Sequence, residues 1–257
     1  MSELHEVAGT QLAVRALGVL GDQPTIVMLH EGLGSITQWH DLPEQIHGST
    51  GLPVVAYDRG GYGRSPLDTK YYDPEFMHRE ALETLPALLK HLGVQRPVLF
   101  GHSDGGTISL IAATSPEVAP LAVITIAGHI FVDPAGVKGV VAAKARRNQI
   151  VKGMSRHHDN AGATFDRWAN VWLDPLFATF DICSILSRIT CPLLILQGDR
   201  DEYATEEMVH GVTQRVPQAL GRFIPDCGHI AHRDQPEALV ENLGGFLMQT
   251  GVIGQNW

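Results

Sequence analysis

Residues 98–109 read Val-Leu-Phe-Gly101-His102-Ser103-Asp104-Gly105-Gly106-Thr-Ile-Ser, which sets one serine among glycines between an apolar strand-like run and a helix-like run. A strand that turns sharply into a helix forces the residue at the turn into a strained backbone conformation. Its neighbours must then be glycine, because no β-carbon fits there. Such a turn holds the serine hydroxyl above the sheet and aims the free N–H groups of the helix N-terminus at whatever the hydroxyl attacks.

The rest of the chain reads as a sheet that could carry this turn. Short β-branched or apolar runs at 12–19, 25–30, 53–58, 96–101, 121–127, 191–197 and 220–225 are strand candidates. Helical spacing recurs between them, at 36–47, 75–91, 104–114, 204–216 and 236–249. This alternation predicts an α/β fold, a mainly parallel sheet built from βαβ crossovers with helices on both faces. The first run, from Gln11 to Leu17, alternates in part, as an antiparallel edge strand with one solvated face would. With 257 residues, 44% of them hydrophobic, the chain can bury a large core and fits one domain with an insertion better than two full domains.

From His129 to Ile189 no strand-like run occurs, only helix-like pieces at 137–152, 161–172 and 176–188. We therefore expect a helical cap inserted at 129–189 on a core made of 1–128 and 190–257. The insertion carries Phe165, Trp168, Trp172, Phe177 and Phe180 on one hand, and Arg146, Arg147, His157 and His158 on the other. Its aromatics either roof a pocket or glue the insertion to the core.

A net charge of −9 argues against a nucleic-acid partner, which needs a basic face to neutralise phosphates. Cys183, Cys191 and Cys227 are odd in number and widely spaced, so neither a disulfide framework nor a zinc site is indicated, and the thiols are expected reduced and buried. No signal-like start and no run near the roughly 20 apolar residues of a membrane span is found, which reads as a cytoplasmic protein with no membrane partner. Asp226, His229, His232 and Asp234 could be drawn as a metal cluster, but His229-Ile-Ala-His232 is not a recognised ligand frame, so no metal is expected. The apolar residues of the tail from Gly251 to Trp257 would serve equally in a homo-oligomer interface or docked on their own domain.

A serine hydroxyl is a poor nucleophile at neutral pH, so the turn calls for a base and for a carboxylate to orient it. Both follow in the chain. Gly198-Asp199-Arg200-Asp201 comes after the 191–197 run and Asp226-Cys227-Gly228-His229 after the 220–225 run, each at the carboxyl end of a strand where sites of open α/β sheets gather. Asp199 and Asp201 are rivals for that carboxylate, the other one bracing the turn. His30 and His102 are read as structural histidines, while His129, just past the 121–127 run, stands where a side chain could face a substrate.

With Ser103, Asp201 and His229 in that order, the chain resembles the α/β-hydrolase fold family with a small helical cap. Two further segments carry the likeness, His30-Glu31-Gly32-Leu33-Gly34 and Tyr57-Asp58-Arg59-Gly60-Gly61-Tyr62-Gly63-Arg64-Ser65, although Glu31 departs from the family's usual glycine. The resemblance implies a Ser103–His229–Asp201 triad. It implies an oxyanion hole from the backbone N–H groups of Asp104 and Gly32, with Leu33 the alternative to Gly32. No metal or organic cofactor is required. Asp104, His129, Trp168, Trp172 and Arg59 are candidate substrate contacts, with Arg59 and Arg64 read first as loop braces and Asp104 alternatively bonded to Arg59 or nearby backbone. The expected activity is hydrolysis of a small carboxylic ester through an acyl-enzyme. Carbon–carbon bond hydrolysis of a vinylogous diketone acid, lactone opening and amide or aminopeptidase work use the same triad. From a different class comes the reading of a non-catalytic small-molecule sensor.

Overall fold

The computed structural model describes residues 2–67 and 73–254, so the tail residues Gln255, Asn256 and Trp257 lie outside the described residues. In chain order the strands are β1 (Glu3–Val7), β2 (Thr10–Leu17), β3 (Thr25–Leu29), β4 (Val54–Tyr57), β5 (Pro97–His102), β6 (Ala122–Ile126), β7 (Leu193–Gly198) and β8 (Ala219–Ile224). They form one sheet in the order β1-β2-β4-β3-β5-β6-β7-β8. The pairs from β4 through β8 are parallel, while β1 with β2 and β2 with β4 are antiparallel.

Every residue of β3 to β7 is buried, as strands covered on both faces require. Their side chains alternate between two cores. Val27, Leu29, Leu99, Val123 and Ile195 enter one, and Ile26, Met28, Phe100, Ile124 and Leu196 enter the other. The helices are α1 (Leu42–Thr50), α2 (Phe76–Arg79), α3 (Leu85–Leu92), α4 (Asp104–Ala112), α5 (Pro134–Ala145), α6 (Arg147–Met154), α7 (Ala161–Trp172), α8 (Glu207–Arg215), α9 (Ala231–Asp234) and α10 (Pro236–Gln249). Leu42 and Ile46 of α1 and Leu239, Leu243 and Phe246 of α10 fill the second core, whereas α2, α3, α4 and α8 pack into the first. Helices α5, α6 and α7 lie between β6 and β7 in the chain. No helix among the described residues is long and apolar enough to cross a membrane.

The antiparallel character expected of the first run holds, but β2 is not the edge. Residues Glu3–Val7 form a further strand outside it, with Glu3 opposite Val14 and Val7 opposite Thr10. The helix expected at 36–47 is broken. Ile36–Trp39 make a single 3₁₀ turn, His40 takes φ 53, and α1 begins two residues on, where Pro43 suits a helix start because its missing N–H would be unpaired anyway. The piece expected at 137–152 divides at Arg146, and the restart of α6 is anchored by Arg147, which donates twice to Asp166 of α7 at 2.6 Å.

The helix expected at 176–188 is absent, replaced by 3₁₀ turns at Phe177–Thr179 and Leu186–Arg188 and a lone bridge between Phe131 and Asp181. Two aspartates account for it. Asp174 accepts from the Leu176 N–H at 2.8 Å and Asp181 from the Cys183 N–H at 2.6 Å, and such local bonds compete with helix formation. The aromatics divide between their two expected uses. Phe177 stacks on Phe180 and lies 6.0 Å from Phe76 of α2, tying the insertion to the core, while Trp168 and Trp172 face a cavity.

Candidate active site

Ser103 stands between β5 and α4 with φ 52 and ψ −118, outside the regions open to ordinary residues. Its N–H donates to the Ile126 carbonyl at 2.8 Å, which holds the turn against β6. The glycines beside it are imposed by contact. A Cβ at Gly101 would run into the Gly105 carbonyl, and one at Gly105 into the Leu29 carbonyl, so α4 can press onto the end of β3 only without side chains there.

The loops after β7 and β8 bring two more side chains to this point. His229 Nε2 lies 3.0 Å from Ser103 Oγ, and His229 Nδ1 lies 2.9 and 3.0 Å from the two Asp201 oxygens. Asp201 also accepts from the Tyr203 N–H at 2.9 Å. Burial alone would raise the Asp201 carboxyl, but the His229 hydrogen bond and charge outweigh it and hold the group below its usual range. Burial would likewise lower His229; Asp201 reverses this and leaves the imidazole above its usual value. Asp199 has a separate task, accepting from the Cys227 N–H at 3.2 Å across the two loops.

His30 is buried, with Nδ1–H donated to the Glu31 carbonyl at 2.8 Å and Nε2 accepting from the Arg59 N–H at 3.1 Å, the structural role expected of it. His102 donates Nε2–H to the His229 carbonyl at 2.8 Å, and its Nδ1 sits 3.5 Å from Glu31. His129 Nε2 lies 3.3 Å from Ser103 Oγ.

Above Ser103 opens a cavity of about 590 Å³. Gly32, Leu33, Asp104 and His129 line it from the sheet side, and Trp168 and Trp172 from α7. Arg59 does not reach its wall, which corrects the expectation that it contacts substrate. The guanidinium is buried behind Asp104, 3.6 Å from Oδ2, donating to the Glu31 carbonyl at 2.9 Å and lying over the Tyr62 ring. Asp104 is thus paired as the alternative reading had it. Burial raises its carboxyl and Arg59 opposes the rise.

Three lining or supporting residues were not foreseen. Glu31 lines the cavity beside His102. Tyr203 lies against the His229 ring at 4.9 Å. His158 joins the insertion to the sheet, accepting from the Gly63 N–H at 2.8 Å and lying 3.0 Å from the Leu33 carbonyl. Glu31 left a trace in the sequence as a charged residue where the resembling family has glycine, and His158 stood among the polar residues of the insertion, though with no role assigned.

A serine on a βα turn, hydrogen-bonded to a histidine that is bonded in turn to an aspartate, these two following β8 and β7 of a largely parallel sheet, has the layout of an α/β-hydrolase. The chain belongs to the alpha/beta hydrolase family, whose model matches residues 26–242. It is 27% identical over 253 residues to the sn-1-specific diacylglycerol lipase ABHD11 of Mus musculus, spanning 87% of this chain and 81% of that protein. It is 34% identical over 265 residues to the dihydrolipoyllysine-residue acetyltransferase component of the acetoin cleaving system of Pseudomonas putida, spanning 94% and 68%. Among solved structures, a membrane phospholipase A described as a bacterial virulence factor superimposes with a TM-score of 0.81 at 18% identity, over 98% of this chain and 86% of that one. That last likeness is one of fold.

Proposed function

We propose that this chain is a serine hydrolase that cleaves a small carboxylic ester through an acyl-enzyme. The observation that carries the reading is the continuous hydrogen-bonded chain from Ser103 Oγ through His229 to Asp201, 3.0 and 2.9 Å long in its two links, at the floor of a cavity. Ser103 is the nucleophile, His229 takes its proton, and Asp201 holds the imidazole tautomer and stabilises the imidazolium. His229 then returns the proton to the leaving alcohol and activates the water that releases the acid. The relatives' named reactions differ, and the ester reading rests on this geometry together with a cavity sized for a small ligand. An intact relay argues against a sensor that merely binds.

The oxyanion is held by the backbone N–H of Asp104, the first residue of α4, and by that of Gly32, with Leu33 as the alternative one residue on. Gly32 has no room for a side chain: a Cβ would strike the Trp168 indole and lie 3.0 Å from Asp104 Oδ2. Gly32→Ala is therefore expected to lower kcat/KM by roughly 10- to 100-fold, through overpacking and a displaced donor, and to lower the thermal midpoint by a few degrees. Leu33→Ala, which keeps every backbone donor, leaves kcat/KM within a few-fold. Equal losses in the two variants would remove Gly32 from this role.

Residues 129–189 act as the cap over this site, with Trp168, Trp172, His129 and Asp104 contacting the substrate. The three cysteines are free, which fits a cytoplasmic enzyme, although only Cys227 is buried as expected and Cys183 and Cys191 are half-buried. The test is to treat the protein with a fluorophosphonate and map the adduct by peptide mass spectrometry, alongside turnover of p-nitrophenyl acetate and butyrate. A single adduct on Ser103 that blocks turnover is expected. Turnover that persists after full labelling, or no label and no turnover, would overturn the reading.

A further inference from the structure

Ser103 Oγ has two imidazole neighbours. Beyond His229 at 3.0 Å stands His129, with Nε2 at 3.3 Å and its ring inclined 28° to that of His229, 6.2 Å away. A hydroxyl has one proton to give. His229 has its Nδ1–H committed to Asp201 and so receives the Ser103 proton at Nε2, which leaves His129 only the part of donor toward Oγ. The proton of a neutral His129 therefore sits on Nε2, and its buried Nδ1 has no hydrogen-bond partner among the described residues.

The position of the ring is fixed from both ends. Thr107 Oγ1 donates to the His129 carbonyl and accepts from the His129 N–H, each at 2.8 Å, and Trp172 packs edge-on at 5.0 Å. Burial first, then the field of His229, pushes the His129 pKa down to about 3, so the ring stays uncharged where an imidazole base works. Nothing in the triad chemistry uses this donor.

We propose that His129 is a catalytic residue whose Nε2–H passes from Oγ in the free enzyme to an acceptor oxygen on the α or β position of the substrate's acyl group. The preferred substrates are thus esters of alkoxy, hydroxy or keto acids. The inference rests on the serine-hydrolase reading above. On attack, Oγ gives its proton to His229 Nε2 and a lone pair to the acyl carbon, and the leaving alcohol departs with that proton. Oγ is then an ester oxygen, one of whose two lone pairs is drawn into the new carbonyl, so that it accepts poorly. His129 Nε2–H would be left unmet in a buried site, a costly state unless the acyl group brings an acceptor. An oxygen two or three bonds from the carbon held by Oγ falls within reach of a donor 3.3 Å from Oγ. His129 keeps its proton throughout, and water completes the cycle by yielding the acid.

The experiment compares p-nitrophenyl butyrate with p-nitrophenyl methoxyacetate, acyl groups of equal length that differ by one ether oxygen. Each kcat/KM is divided by the rate of the same ester with hydroxide. The wild type is expected to favour methoxyacetate about tenfold after this correction, the value of one hydrogen bond to an otherwise unmet donor. His129→Phe, with His129→Leu as a second donor-free variant, is expected to bring the ratio to about one, and His129→Gln, which retains an N–H, to restore part of it. No preference in the wild type overturns the proposal, as does a preference that survives in the donor-free variants while both esters slow equally. Failure of the serine-hydrolase reading looks different, with neither ester turned over and no adduct on Ser103, and it removes this proposal as well.

Discussion

Ser103→Ala is expected to lower kcat roughly a hundred-thousand-fold or more on any ester the enzyme accepts, and to abolish labelling by fluorophosphonates. The size of the effect follows from the arrangement. His229 and Asp201 are placed to move one proton, that of Ser103 Oγ, and with the oxygen gone the relay has nothing to act on. Residual turnover would come from binding and the oxyanion donors alone. Alanine keeps the backbone bonds from Ser103 N–H to Ile126 and from Thr107 N–H to residue 103, so the thermal midpoint should move little. Circular dichroism melts beside burst-phase kinetics check both parts. A variant that keeps a tenth of the wild-type kcat would place the nucleophile elsewhere.

Asp201→Asn should cost about ten-thousand-fold in kcat, because an amide in that place favours the wrong imidazole tautomer. It also changes the pH profile in a defined direction. His229 must be neutral to accept a proton, and Asp201 holds its pKa above the usual imidazole value. The wild-type kcat/KM is therefore expected to fall with acidification along a limb centred above pH 6.5, the free-imidazole value. Removing the aspartate charge leaves burial, which lowers the pKa, so the limb should move to lower pH in the variant. His129, already uncharged, adds no limb of its own in that range. A limb that stays in place would mean Asp201 does not set the His229 pKa.

Strands β3 to β7 were legible because each is a buried, largely apolar run bounded by turn residues, and Ser103, Asp201 and His229 because strand ends deliver them to one place in a known order. What escaped was set by tertiary contacts. The segment Glu3–Val7 mixes charge with apolar residues and becomes a strand only because β2 offers an edge. The breaks at His40 and Arg146 fall inside helical spacing that continues across them. The absent helix at 176–188 turned on two aspartates bonding their own backbone, a short-range effect that hydrophobic spacing does not register. Arg59 read first as a loop brace and second as a substrate contact, and its burial behind Asp104, which makes it a partner of that carboxylate, depends on a tertiary contact that no local pattern records. Tyr203 and His158 meet the site through loops whose paths no spacing reveals.

The tight seat of α4 on β3 bears on how such an enzyme can evolve. At positions 101 and 105 the obstacle to a side chain is backbone, the carbonyls of Gly105 and Leu29, which cannot step aside as a flexible neighbour could. Neutral drift is closed at these two sites, and any lineage passing through them loses the turn itself. The residues that face the cavity from the insertion, such as Val140, Ile150 and Met154, carry no such constraint. Variants selected for a new substrate are therefore expected to change the lining supplied by residues 129–189 and to keep glycine at 101 and 105.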